Sequence, residues 1–332
     1  MSLLKAGVIG IGSMGKNHAR VYSEMNSTEL VAVSDPNKSL LSEFKKKYGV
    51  STYSDYREML KREDLDIVSV AVPTSLHLKV AGDALKKKIN VLVEKPIAPD
   101  EKTGRKLAGI AAKEKTKLMV GHIERFNPAV LELRKRLERK ELGKIFEISI
   151  DRLGPFPPRI RDTGVVVDLA VHDFDIAPFL CDSMPKSIFS FTEKKIHTKH
   201  EDLMISVLEL SGEIPATIRA NWLTPMKKRT LSVLGQKGLF SLDFITQELW
   251  FFENAAVKES DSFSDFVQNV AVGKSKKLKV RKSEPLLNEL EAFAQCVIRN
   301  KPVPVSAEEG ILAVRTAKAA LKSSKSGRTV KI

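Results

Sequence analysis

A two-domain α/β chain is predicted by three features of these 332 residues. Continuous apolar runs alternate with helix-like stretches over residues 1–123. Strand-like runs follow one another with few helices between them over residues 124–332. A glycine-rich hexapeptide stands directly after the first apolar run. The expected architecture is a parallel sheet flanked by helices, then an α/β domain with an open, mostly antiparallel sheet.

In the first domain the strand-like runs are Ala6–Ile9, Leu30–Ser34, Ile67–Val72, Val91–Val93 and Leu118–Gly121. Runs without polar alternation suit strands buried on both faces. Between them, Leu41, Phe44 and Tyr48 share one helical face, which Gly49 can end. Leu76 to Lys88 and Asp100 to Lys115 read as further helices. The repeated β-α order implies right-handed crossovers. In the second domain Phe146–Arg152, Ile188–Ile196, Leu203–Leu210, Ala216–Trp222, Thr230–Leu234 and Leu249–Phe252 read as strands. A helix from Gly164 to Leu180 interrupts them early, and helices Pro285–Ile298 and Ala307–Ser323 close the chain. Ser306 and Glu309 form a capping box for the last helix. Glu259–Lys277, rich in Ser and Lys, reads as a loop or flap.

Composition narrows the function class. With 42% hydrophobic and 29% charged residues the chain is neither disordered nor fibrous. No apolar run is long enough for a membrane helix, and the N-terminus has no secretory h-region. Cys181 and Cys296, the only cysteines, make neither a disulfide framework nor a zinc site, so a reducing cytoplasm is expected and no metal. The net charge of +14 is spread over short lysine runs at Lys45–Lys47, Lys86–Lys88 and Lys274–Lys277. These read as solvated surface, with an anionic small substrate as a further contributor. No zinc-finger or aromatic RNA-binding pattern accompanies them, so no nucleic-acid partner is expected.

Gly10-Ile11-Gly12-Ser13-Met14-Gly15 carries the first chemistry. Gly10 permits a tight turn, Gly12 lets backbone approach a pyrophosphate, and Gly15 lets the following helix pack against the sheet. The pyrophosphate then rests on a helix N-terminus, where N–H groups and the helix dipole favour anions. Asp35, 20 positions beyond Gly15 and at the end of the second run, can accept hydrogen bonds from the adenosine ribose. Its charge would repel a 2′-phosphate, and Lys38 is the nearest cation after it. NAD is therefore expected rather than NADP. Glu94-Lys95-Pro96 follows the strand Val91–Val93, at the end of the sheet where ligands bind. A cis bond before Pro96 would aim the lysine.

Glu94-Lys95-Pro96 at this distance from Gly10–Gly15 resembles the Gfo/Idh/MocA oxidoreductases. The resemblance extends through Gly164–Asp175 to Glu284–Phe293, Lys301–Pro304 and Gly327-Arg328, nearly the whole chain. It implies a Rossmann domain followed by an open-sheet domain, with Lys95, Asp168 and His172 as catalytic residues. It also implies that Pro73, Thr74 and His77 form a cofactor loop beside Glu94, Lys95 and Pro96. On a helix, Asp168, His172 and Asp175 would share one face, with Val166, Leu169, Ile176 and Leu180 toward the core. A carboxylate one turn from an imidazole orients it and stabilises its charged form, which suits a general base.

A narrower resemblance covers Gly121–Pro128 and Gly154–Asp162, stretches similar to the branch of that family that oxidises the 3-hydroxyl of UDP-N-acetylglucosamine. It implies substrate contacts by Arg125, Asn127, Arg159 and Arg161. Trp222 lines the sugar pocket or only the sheet. His18 reads as structural, His122 as packing beside the cofactor or hydrogen-bonding locally, and His197 and His200 as strand-end surface residues. The alternatives are a dehydrogenase of a free sugar or inositol, and a non-catalytic NAD-sensing regulator. The open sheet is a natural interface for a homodimer or homotetramer.

Overall fold

The computed structural model describes residues 3–157, 163–196, 199–254 and 273–332. Arg159, Arg161, His197 and most of the expected flap lie outside the described residues. In chain order the elements are β1 Leu4–Ile9, α1 Gly15–Glu24, β2 Thr28–Ser34, α2 Lys38–Tyr48, β3 Ser51–Tyr53, α3 Tyr56–Arg62, β4 Ile67–Val70, α4 His77–Lys86, β5 Asn90–Glu94, α5 Glu101–Glu114 and β6 Leu118–Gly121. There follow α6 Pro128–Glu138, β7 Ile145–Pro155, a π-helical turn Val166–Ala170, α7 Val171–Cys181, β8 Pro185–Glu193, β9 Leu203–Leu210, β10 Ile214–Asn221, β11 Leu223–Gly235, β12 Gly238–Asp243, β13 Glu248–Glu253 and β14 Ser275–Leu278. The chain closes with α8 Pro285–Ile298, α9 Ala307–Ser326 and β15 Val330–Lys331. Two compact units result: Met1–Phe126 with Ser283–Lys318, and Asn127–Lys282 with Ala319–Ile332.

The first unit is a Rossmann domain. Its six strands run in the order β3-β2-β1-β4-β5-β6, and every neighbouring pair is parallel. The order reverses between β1 and β4, which puts the ligand crevice outside the carboxyl ends of those strands. The continuous apolar runs behave as read: Val8, Val33, Val68 and Leu92 are fully buried. Asn37 caps α2, and Gly49 ends it in the left-handed conformation at φ 69°. A single boundary after residue 123 does not describe this unit, because α8 returns to it. Leu286, Leu290 and Phe293 join its core together with Val305, Ile311 and Val314.

The second unit is built on a nine-stranded sheet, β14-β13-β12-β11-β7-β10-β9-β8-β15. Only β7 and β10 pair in parallel; the other pairs are antiparallel. One face of β9 is buried through Met204, Ser206, Leu208 and Leu210. The other face keeps apolar side chains in water: Phe189 stands opposite Val207 and Phe191 opposite Ile205, all four exposed. Ser275–Lys277, read as flap, belong to β14 and pair with β13.

Candidate active site

Among the described residues the candidate side chains fall into two sets, one in each unit. In the first unit they gather at the carboxyl ends of β1, β2, β4 and β5. Gly10 leaves β1 with φ +84°, and a Cβ there would sit 2.8 Å from the Ala71 carbonyl oxygen. At Gly15 a Cβ would fall 1.7 Å from the Gly10 carbonyl oxygen, so only glycine lets α1 begin there. Gly12 differs: a Cβ would meet nothing within 4 Å, so its backbone faces open space. Met14 precedes α1 without a side-chain capping bond, and Ser13 is exposed beside it. This is a cradle suited to an anion at a helix N-terminus. Asp35 borders it, accepting from Ile11 N at 3.0 Å and from Asn37 N at 2.8 Å. A carboxylate has about four acceptor positions, so capacity remains for ribose hydroxyls. The residues present thus fit a dinucleotide.

Glu94, Lys95 and Pro96 end β5, and the Lys95–Pro96 peptide is cis. Lys95 is half-buried, whereas Glu94 turns inward and is only 8% exposed. Its carboxylate lies 2.8 Å from His18 Nε2 and accepts from Lys95 N at 3.2 Å. Burial pushes the Glu94 pKa up, but the His18 bond and the nearby positive charge outweigh it and hold the carboxyl below its ordinary range. Pro73 and Thr74 open a 3₁₀ turn ahead of α4. His77 differs from expectation as a cofactor contact. It is buried, with Nε2 2.9 Å from the Val72 carbonyl and Nδ1 3.0 Å from that of Pro96. Burial lowers its pKa; a neutral ring carries one N–H and donates to only one of these two carbonyls.

Two of the expected substrate contacts have partners within the fold. Arg125 is buried and donates to Glu309, and Glu309 also closes the capping box with Ser306. Burial raises the Glu309 pKa, yet Arg125 holds it below the usual carboxylate range. Asn127 caps α6 by accepting from Ala129 N at 3.1 Å, and its amide donates to the Phe244 carbonyl at 3.0 Å. A buried guanidinium and a buried amide need such partners.

In the second unit a cavity of about 200 Å³ is lined by Asp168, Leu169, Trp222, Arg152, Lys227 and Arg229, among others. Trp222 is 2% exposed and meets Phe156 edge-on, with ring centroids 5.8 Å apart. Asp168 belongs to the π turn, closed by the Val171 N–H to the Val166 carbonyl. That turn inserts one residue relative to an α-helix, a feature common at functional sites. The insertion explains why Leu169, expected in the core, lines the cavity beside Asp168. His172 is half-buried in the first turn of α7, and Asp175 is buried. Arg152, which the sequence reading did not single out, is buried against Asp173 and lies over the Phe244 ring. Lys227 and Arg229 also escaped notice, although Lys227-Lys228-Arg229 is a visible basic run.

Comparison with known proteins agrees with both units. Residues 4–122 match a family model described as an oxidoreductase family with an NAD-binding Rossmann fold. Residues 134–332 match the companion C-terminal α/β domain of an oxidoreductase family. UDP-N-acetylglucosamine 3-dehydrogenase of Acidithiobacillus ferrooxidans is 26% identical over 90% of each chain. Myo-inositol 2-dehydrogenase of Thermotoga maritima is 25% identical over 99% of this chain and 98% of its own. The solved structure of the Acidithiobacillus ferrooxidans enzyme has the same fold, with a TM-score of 0.86, 24% identity and coverage of 98% and 99% of the two chains.

Proposed function

The chain belongs to the Gfo/Idh/MocA oxidoreductase family, and on that premise we propose that it oxidises a sugar hydroxyl to a ketone with NAD, the substrate being UDP-N-acetylglucosamine at its 3-hydroxyl or a related nucleotide sugar. The observation that carries this reading is Asp168 lining a cavity with Trp222, Lys227 and Arg229. The buried indole forms part of an apolar wall, and the two cations suit a substrate that bears phosphates. Similarity to the UDP-N-acetylglucosamine 3-dehydrogenase supports the same choice.

The Gly10–Gly15 turn, Asp35 and the Pro73-Thr74 loop hold the dinucleotide. NAD supplies the hydride acceptor. An alcohol is too weak an acid to lose its proton unaided near neutral pH. His172 takes that proton, and Asp168 holds the imidazole in orientation. Lys95 donates a hydrogen bond to the reacting oxygen and stabilises its developing negative charge. Arg159 and Arg161 remain candidate phosphate contacts. Phe189, Phe191, Ile205 and Val207 form an exposed apolar face that a second copy of the chain would cover, giving a homodimer or homotetramer. Two free thiols suit the cytoplasm. Among the described residues no helix is long and apolar enough to cross a membrane.

A second reading, dehydrogenation of inositol or a free sugar, is favoured by similarity to the inositol dehydrogenase. A screen of UDP-sugars, free sugars and inositols, followed by NADH absorbance, separates the two. Turnover of UDP-N-acetylglucosamine above all neutral sugars is the expected result. Turnover of inositol alone would replace the first reading by the second. NAD binding without turnover of any of them would favour an NAD-sensing regulator.

A further inference from the structure

We propose that His18 is a positioning residue for Lys95, acting through Glu94. The inference rests on the role given to Lys95 above. Glu94 is the last residue of β5, yet its side chain points back beneath the sheet. A buried carboxylate is costly unless donors surround it. Two do: Nε2 of His18 at 2.8 Å and the backbone N–H of Lys95 at 3.2 Å. A carboxylate only accepts, so His18 donates through Nε2. With the proton there, Nδ1 accepts from Ser69 Oγ at 2.9 Å. Ser69 in turn accepts from the Tyr22 hydroxyl at 2.9 Å. Burial raises the Tyr22 pKa, so this phenol keeps its proton and stands as the first donor. The donors thus run in one direction from Tyr22 through Ser69 and His18 to Glu94, and Glu94 holds the Lys95 amide.

The chain of bonds joins three elements. Tyr22 and His18 lie on α1, Ser69 on β4 and Glu94 on β5. His18 is three residues beyond Gly15, in the first turn of the helix that receives the dinucleotide. The lysine backbone is therefore tied to the cofactor helix on its N-terminal side. On its C-terminal side His77 Nδ1 lies 3.0 Å from the Pro96 carbonyl. Glu289 on α8 also faces Glu94, and burial first, then the Glu94 charge, raise its pKa well above the ordinary carboxyl value.

The imidazole offers two separable contacts. A Gln amide reaches about as far as Nε2, and an Asn amide about as far as Nδ1. His18→Gln keeps a donor for Glu94, whereas His18→Asn keeps only the Ser69 contact. Both variants are compared with the full-length protein for melting temperature, NAD affinity by calorimetry, turnover, and the primary deuterium isotope effect on kcat. A second readout needs no substrate: acetylation of Lys95 by a small acylating reagent, followed by peptide mass spectrometry. For His18→Asn we expect kcat to fall by up to about 10²-fold, the usual cost of misplacing a catalytic group by about 1 Å. The isotope effect should rise, NAD affinity should stay within about twofold, and Lys95 acetylation should change severalfold. His18→Gln should recover most of the loss in each. If acetylation still separates the two variants but Lys95→Ala turns over normally, the positioning stands and the catalytic role of Lys95 fails. If His18→Asn and His18→Gln match each other in turnover and acetylation, the proposal is overturned.

Discussion

Arg152 on β7 and Asp173 on α7 pair inside the second unit, with Arg152 Nε at 2.9 Å and 3.1 Å from the two carboxylate oxygens. Their side chains are 1% and 0% exposed. Asp173 follows His172 directly, so the pair pins the helical turn that presents the histidine. Desolvating two charges is expensive, and the pair is tolerable only while both members are present.

Arg152→Met should therefore destabilise the protein by about 3–5 kcal/mol, because Asp173 stays buried without this guanidinium. Arg152→Met with Asp173→Leu should restore most of that loss. Urea unfolding of the three proteins decides it. A single variant within about 1 kcal/mol of the parent would mean that water reaches Asp173.

Glu289 makes stability depend on pH in a stated direction. Burial first, and the Glu94 charge second, raise its pKa well above the ordinary carboxyl value in the folded protein. Below about pH 4.3 both folded and unfolded states hold the proton. Above it the unfolded chain releases the proton while the folded chain keeps it, so stability falls as pH rises toward the folded value. Glu289→Leu removes this loss. The melting temperature of the variant minus that of the parent should grow as pH rises above about 5. A difference independent of pH would place the Glu289 carboxyl in contact with water.

In the proposed reading, Asp35 sets the choice of dinucleotide. Two backbone donors hold its carboxylate at the edge of the glycine turn, where a 2′-phosphate would meet its charge. NAD should bind at least about tenfold more tightly than NADP, a difference that needs only about 1.4 kcal/mol. Asp35→Ser should narrow the gap. Calorimetric titration with each dinucleotide measures both, and equal affinities in the parent would remove Asp35 from this role.

The proposed chemistry predicts a separation of binding from turnover. His172→Ala should lower kcat by about 10²–10⁴-fold, the usual worth of a placed acid–base group. Lys95→Ala should cost a comparable factor, and Asp168→Asn a smaller one, while NAD affinity stays near that of the parent. Steady-state kinetics beside calorimetry on each variant provide the check. Normal turnover in both alanine variants would reject the mechanism and leave the family assignment untouched.

Much of the fold is legible from apolar spacing alone. Strands such as Leu118–Gly121 are buried on every residue, and their unbroken apolar runs announce it. The capping box of Ser306 and Glu309 is readable because its signal is local. Signals that depend on distant partners are not. Ser51–Tyr53 forms an edge strand of half-buried residues with no apolar run. Arg125 and Asn127 look like ligand contacts by composition, and only the folded chain gives them Glu309 and the Phe244 carbonyl. The π turn at Val166–Ala170 has no periodicity of its own, so a regular helix misplaces Leu169. Glycines and Asp35 are legible at the cofactor cradle because backbone geometry demands those residue types. His18 escapes, since nothing local links it to a glutamate 76 positions away.

The return of α8 to the first unit bears on how the protein is made. Leu286, Leu290 and Phe293 complete a core whose strands all emerge from the ribosome before Asn127. The Val120 N–H donates to the Val305 carbonyl, and Gly310 permits contact so close that a Cβ there would lie 2.8 Å from the Val120 side chain. While the second unit is still being translated, that apolar seat has no cover. The Rossmann half therefore cannot finish folding as an early, self-sufficient product of synthesis. Its completion is deferred until the last segment arrives. A nascent chain released before Ser283 would carry all six strands and an open hydrophobic flank, the kind of surface that aggregates.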